Sequence, residues 1–189
     1  MQADALDGGF ADAPIEAARA FRAAMSAMAR PGRIERREGA APPAPLSPAA
    51  GALILTLCDP ETPVHLAGAH DAAALRDWIT FHTGAPLVGP DGAVFAVGDW
   101  DALQPLDVYR IGTADYPDRA ATLIVEMPTL TAQGARLTGP GIKDAAHLSL
   151  PETAAFRRNA AQFPLGLDFF LTCGDSIAAL PRSTRVEDN

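Results

Sequence analysis

The residues best suited to chemistry sit at turns built from glycine and proline. Gly139-Pro140-Gly141-Ile142-Lys143 follows a short apolar stretch. A glycine-rich turn there can offer backbone N–H groups to a phosphate, with Lys143 adding charge. It lacks the Gly-Lys-Ser/Thr ending of a nucleotide-binding loop, and Pro140 removes one amide donor, so a structural turn is the competing reading. Arg182-Ser183-Thr184-Arg185, after Pro181, presents two guanidiniums and two hydroxyls. That suits a phosphate or a partner contact, and equally a solvated tail. Tyr116-Pro117-Asp118-Arg119 is a tight polar turn whose Asp–Arg pair, at the surface, is worth little. His82 ends a helical stretch, where a protonated imidazole meets the negative end of the dipole, and reads either as a cap or as a ligand contact. Arg30 stands in the corner Met28-Ala29-Arg30-Pro31-Gly32. Arg30, His82, Asp118, Lys143, Arg182 and Thr184 are the candidate ligand or partner residues.

No stronger constellation accompanies them. The histidines His65, His70, His82 and His147 form no i, i+4 pair, and neither Cys58 nor Cys173 stands at zinc-ligand spacing from them, so no metal is expected. No nucleophile–base pair stands out. Lys143, the only lysine, invites a Schiff-base reading, but an isolated lysine on a loop is ordinarily solvated, and no cofactor is expected.

The chain has 189 residues and a net charge of −8, which argues against bulk attraction to nucleic acid or an anionic membrane while leaving room for a local basic patch. Its length suits one domain, residues 1–189, that needs no disulfide or metal to hold it. Cys58 and Cys173 lie in apolar runs and read as buried free thiols, consistent with a reducing cytoplasm. No signal peptide is evident, and no apolar run reaches the ~20 residues of a membrane span.

The elements that must position the candidates follow from caps and periodicity. Residues 1–11 read as an N-terminal arm. Asp12 caps a helix through Ala29, with Pro14 in its first turn and Ile15, Ala18, Phe21 or Arg22, Met25 and Met28 as its buried stripe. Ser47-Pro48 opens a buried helix to about Cys58. Val64–Ala67 is a short strand. Asp71 caps a third helix to about Phe81, with Leu75, Trp78 and Ile79 inward. Ala93–Val97 reads as a central strand, Val108–Ile111 as a weak one and Ala121–Met127 as a strong one, with Ala135–Leu137 a hairpin partner for it. His147–Leu150 is extended, Pro151 opens a helix to about Gln162, Leu167–Cys173 is a strong strand, and Ile177–Leu180 is ambiguous. Residues 182–189 read as an exposed C-terminal tail. Intermixed helices and strands imply one layered α/β domain with a mixed central sheet flanked by helices.

The turns recur in an order that resembles the PhnH family, the H subunit of the bacterial carbon–phosphorus lyase system. The resemblance is carried by Gly9-Phe10, Ala20-Phe21-Arg22, Met25 to Gly32, Leu57-Cys58-Asp59-Pro60-Glu61-Thr62-Pro63-Val64 and Phe81-His82-Thr83-Gly84-Ala85-Pro86. It continues through Gly112-Thr113, Tyr116-Pro117-Asp118, Leu137 to Ile142, Asn159, Phe163-Pro164-Leu165-Gly166-Leu167-Asp168 and Leu180-Pro181-Arg182-Ser183-Thr184. Ser183 stands where that family tends to have Thr, which keeps a hydroxyl. The resemblance implies a role in organic phosphonate catabolism, supporting formation of α-D-ribose 1-methylphosphonate 5-triphosphate from a purine nucleoside triphosphate and methylphosphonate. It implies a fold similar to pyridoxal-phosphate-dependent transferases without the cofactor, a homodimer in isolation, and partners G, I and J in a larger core complex. A non-catalytic or co-catalytic subunit is the leading reading. A stand-alone nucleotide- or phosphonate-binding enzyme is the alternative.

Overall fold

The strongest apolar runs become the middle of one sheet. In the computed structural model, which describes residues 7–188, the strands are β1 (Glu35–Arg36), β2 (Val64–Leu66), β3 (Phe95–Asp99), β4 (Thr122–Glu126), β5 (Ala135–Thr138), β6 (Ala146–Leu148), β7 (Asp168–Cys173), β8 (Ser176–Leu180) and β9 (Arg185–Glu187). Six of them form a sheet in the order β1-β8-β7-β4-β3-β2. β2, β3, β4 and β7 run parallel, and β8 is antiparallel to both β7 and β1. Leu123 and Val125 of β4 stand opposite Phe169 and Leu171 of β7. Parallel strands this apolar need cover on both faces.

One face is covered by α1 (Ala13–Ala29), α2 (Pro48–Leu57) and α3 (Ala73–Thr83), which pack Leu53, Ile54, Trp78 and Ile79 over Val97, Ile124, Phe170 and Ile177. The other is covered by α4 (Ala154–Ala160) and the second sheet β6-β5-β9, which pack Phe156, Leu137, Leu148 and Val186 over Leu123, Val125, Phe169 and Leu171. Phe156 stacks on Trp100 and meets Phe169 edge-on, both with ring centroids 4.9 Å apart. The result is the layered α/β arrangement with a mixed sheet.

Caps hold as expected at two helices. The Asp12 carboxylate accepts from the Ile15 amide, and the Ser47 hydroxyl accepts from the Ala50 amide at 3.2 Å, with Pro14 and Pro48 in the first turns. At α3 the expectation fails: Ala72 takes the cap position without a side-chain bond, and Asp71 instead accepts from Arg76 Nε and Nη2.

The expected inward stripe of α1 is turned outward except at Met28, which packs against the core. Ile15, Phe21 and Met25 are 49%, 51% and 55% exposed, and the buried face is Ala20, Ala23, Ala24 and Ala27. Small side chains let α1 lie close on α2 and β8, where a bulky stripe would hold it away.

Three strand expectations also change. Ala135–Leu137 cannot pair with β4, because β3 and β7 occupy both edges of β4; β5 pairs with β6 and β9 instead. Val108–Ile111 is no strand: the chain makes a 3-10 turn at Leu106–Val108 and one bridge from Ile111 to Ala120. The tail is not wholly exposed, since β9 pairs with β5 and buries Val186. Of the two free thiols, Cys58 is buried and pushed up to about 12 by desolvation, whereas Cys173 is only half-buried. The arm's first six residues lie outside the described part. Among the described residues, no helix is long and apolar enough to cross a membrane.

Candidate functional site

Three of the glycine–proline corners meet. A Cβ placed on Gly141, whose φ is +81°, would stand 2.0 Å from the Ala29 carbonyl oxygen, so only glycine lets the turn after β5 lie on the corner that ends α1. Gly139 approaches the Ser183 carbonyl and the Thr184 Cα, where a Cβ would fall at 3.1 and 3.6 Å. Arg30, Lys143 and Thr184 are thereby carried by neighbouring turns. Arg30 and Lys143 are exposed there. Thr184 is buried, and its hydroxyl has no hydrogen-bond partner among the described residues.

Arg182 is not available to a ligand as a free cation. Its backbone amide donates to Asp168 Oδ1 at 2.8 Å, and its Nε donates to both carboxylate oxygens at 3.1 and 3.2 Å. Nη2 adds another bond to Asp168 Oδ2, and Nη1 donates to the Pro117 carbonyl at 2.6 Å. The guanidinium fork thus ties the Tyr116–Arg119 turn to the sheet. Asp118, next to Pro117, is exposed and makes no ion pair with Arg119 among the described residues; Arg119 lies 4.0 Å over the Tyr116 ring instead. The sequence placed Asp168 and Arg182 in two separate motifs. Their meeting follows from the β7–β8 hairpin, in which Phe169 stands opposite Leu180 and the two polar residues lie just beyond that pair.

His82 belongs elsewhere. It lies in the last turn of α3, in the helical layer, 5.0 Å from the rings of both Trp78 and Phe81. It lines a cleft with Gly8, Gly9, Phe10 and Leu55, and its Nε2 is shielded without a partner among the described residues. Arg182 and Thr184 lead into β9, in the opposite layer. The six candidates therefore do not line one pocket.

Two polar features escaped the sequence reading. At the carboxyl ends of the parallel strands, where open α/β sheets bind ligands, Glu126 of β4 accepts from the Ser47 amide at 2.7 Å and from the Thr172 hydroxyl at 3.1 Å. Burial, outweighing these bonds, raises its carboxyl above the ordinary range. His70 is buried nearby with neither ring nitrogen partnered among the described residues. A lone carboxyl inside an apolar-looking strand gives no sequence signal of its own. The second feature is a cavity of about 390 Å³ lined by Leu106, Tyr109, Arg158, Asn159, Gln162 and Leu167. Asn159 is already committed, since it donates to the Leu167 carbonyl at 2.8 Å and accepts the Leu167 amide at 2.7 Å. Desolvation pushes the Tyr109 phenol up to about 12. Among the described residues, no group of three His, Cys, Asp or Glu could hold a metal ion. These groups can position turns and bind; they do not assemble a nucleophile with its base.

Comparison with known proteins points one way. Residues 8–187 match the family described as "Bacterial phosphonate metabolism protein (PhnH)". The chain is 42% identical over 195 residues, covering 98% of both chains, to the "Alpha-D-ribose 1-methylphosphonate 5-triphosphate synthase subunit PhnH" of Rhizobium meliloti (strain 1021). It is 29% identical over 202 residues, covering 94% of both, to the "Putative C-P lyase subunit protein HtxG" of Stutzerimonas stutzeri.

Proposed function

The chain belongs to the PhnH family of bacterial phosphonate metabolism proteins, and on that premise we propose that it is a subunit of the assembly that forms α-D-ribose 1-methylphosphonate 5-triphosphate during phosphonate breakdown. Its role there is to hold partners and substrates in place rather than to supply a complete active site alone. Four polar side chains support this reading, because Arg182, Asp168, Asn159 and Glu126 are each consumed in holding turns and helices.

The observation that carries the reading is the outer face of α1. Ile15, Phe21 and Met25 are about half exposed on one side of this helix. Large apolar side chains gathered on a surface mark an interaction site. The segment 13–38 carries six arginines against three glutamates, while the whole chain carries −8. The net positive charge of this segment favours a different subunit, with an acidic rim around an apolar patch, over a second copy of the chain. Subunits G, I and J of the carbon–phosphorus lyase core are the proposed partners. In isolation the chain forms a homodimer, built on another face. It acts as one domain, residues 1–189, in the cytoplasm, with a fold akin to pyridoxal-phosphate-dependent transferases but no cofactor. The exposed turn that carries Lys143 supports that last point, since a Schiff-base lysine works desolvated in a pocket.

Deleting the gene in its own host tests the reading. Growth on methylphosphonate as sole phosphorus source should be lost and growth on inorganic phosphate kept. Unimpaired growth on methylphosphonate would sink it.

A further inference from the structure

Half of the fourteen arginines already have partners. Arg33, Arg76, Arg136, Arg157 and Arg182 hold carboxylates, Arg110 donates to two carbonyls, and Arg119 lies over a tyrosine. Arg19, Arg36 and Arg37 differ. They line one cleft of about 390 Å³ together with Glu16, Glu38 and Gly39. Arg19 projects from the flank of α1, while Arg36 ends β1, opposite Ser176 of β8. The Arg37 amide donates to the Asp175 carbonyl at 2.6 Å, which fixes the start of the loop behind the strand.

The three cations share the cleft with two carboxylates, Glu16 and Glu38, which leaves its lining net positive. Arg36 reaches Asp175 only at 3.8 Å, with its side chain 81% exposed. Arg19 and Arg37 make no ion pair among the described residues. Glu16 is turned to another task, accepting from the Asp12 amide at 3.0 Å. Above all, Arg37 Nε is shielded from solvent and has no acceptor among the described residues. A hidden guanidinium N–H is a donor in want of an oxygen. Guanidinium forks match the spacing of oxygens on a tetrahedral dianion, and several together outbid water for it.

We propose that the cleft between α1 and the end of β1 binds an oxyanion, a phosphate or phosphonate group, through Arg19, Arg36 and Arg37. The oxyanion class rests on the cleft itself; the choice of phosphorus over carbon as its centre rests on the functional reading above. The volume exceeds that of one phosphate, so a polyphosphate tail fits as well as a single phosphonate.

Isothermal titration of the full chain with ATP, methylphosphonate and inorganic phosphate tests this. At least one should bind saturably and competitively with added salt. Tightest binding of ATP identifies a polyphosphate tail, of methylphosphonate a phosphonate, and equal binding of all three a bare oxyanion; each supports the site. Arg37→Met and Arg19→Met should each weaken binding about tenfold, as loss of a charge-assisted bond does. Arg22→Met, which removes an exposed arginine of α1 outside the cleft, should leave it unchanged. Arg36→Met provides a second variant if Arg37→Met fails to fold. The site is overturned if none of the three binds, or if Arg19→Met and Arg36→Met or Arg37→Met bind as well as the parent. Loss of anion binding by a chain that still joins its partner subunits removes the site and leaves the functional reading intact. Anion binding by a chain that joins no partner does the reverse.

Discussion

Arg182 and Asp168 face each other just beyond the last pair of the β7–β8 hairpin, and the guanidinium that grips the carboxylate also holds the Pro117 carbonyl at 2.6 Å. Their side chains are 13% and 23% exposed, so little water competes. Arg182→Met strands a mostly shielded carboxylate and frees a turn, and should cost about 2–3 kcal/mol in urea unfolding. Arg182→Lys should recover little, since an ammonium cannot reach carboxylate and carbonyl together. A loss below about 0.5 kcal/mol, the range of ordinary surface changes, would show the pair to be ornamental.

The turns that meet at Gly141 make a sharper prediction. Gly141→Ala places a Cβ against the Ala29 carbonyl at a φ of +81° and should cost about 3 kcal/mol or more. Gly174 also has a positive φ, +56°, but nothing lies within 4 Å of its added Cβ, so Gly174→Ala should cost only about 1 kcal/mol. Equal losses in thermal or urea unfolding would deny that the corners are packed on one another.

Glu126 gives stability a pH dependence of definite sign. Burial holds its carboxyl above the ordinary 4.5, so the folded chain takes up this proton more readily than the unfolded one. The contribution is full below the unfolded value and is lost as pH rises through the folded value. Glu126→Gln has no such proton. Relative to that variant, the parent should therefore lose stability as pH rises above the ordinary 4.5. Parallel urea midpoints above that pH would contradict the burial of this carboxyl.

The two sides of α1 should respond in opposite ways. Phe21→Ser with Met25→Ser touches an exposed face and should stay within about 0.5 kcal/mol of the parent. Ala27→Leu forces a larger side chain into a fully buried contact and should cost about 1–3 kcal/mol. Urea unfolding of both variants separates the face that folds the protein from the face left over.

That contrast also marks what the sequence could tell. Caps at Asp12 and Ser47, the strong strands around Leu123 and Phe169, and the corners themselves were legible, because each is set by local chemistry. The packing face of α1 is not legible from bulk, because Ala20, Ala23, Ala24 and Ala27 pack while Ile15, Phe21 and Met25 face outward and only Met28 of the bulky stripe touches the core. Pairing was illegible where it depends on a third strand: nothing near Ala135 says that both edges of β4 are taken. Of the six candidate residues, Arg182 proved bound to Asp168 and His82 lay in the opposite layer, while Arg30 and Lys143 stand exposed on meeting turns. The arginines of the cleft carried no motif. Arg19 is separated by sixteen residues or more from Arg36 and Arg37, and only the packing of α1 beside β1 joins them.

The central claim is that this chain works inside an assembly, and size-exclusion chromatography of it with the G, I and J subunits from its own genome tests that most directly. The parent chain should move into the high-mass peak, and the folded Phe21→Ser, Met25→Ser variant should elute apart from it. A parent chain that elutes alone beside the assembled partners would contradict the claim.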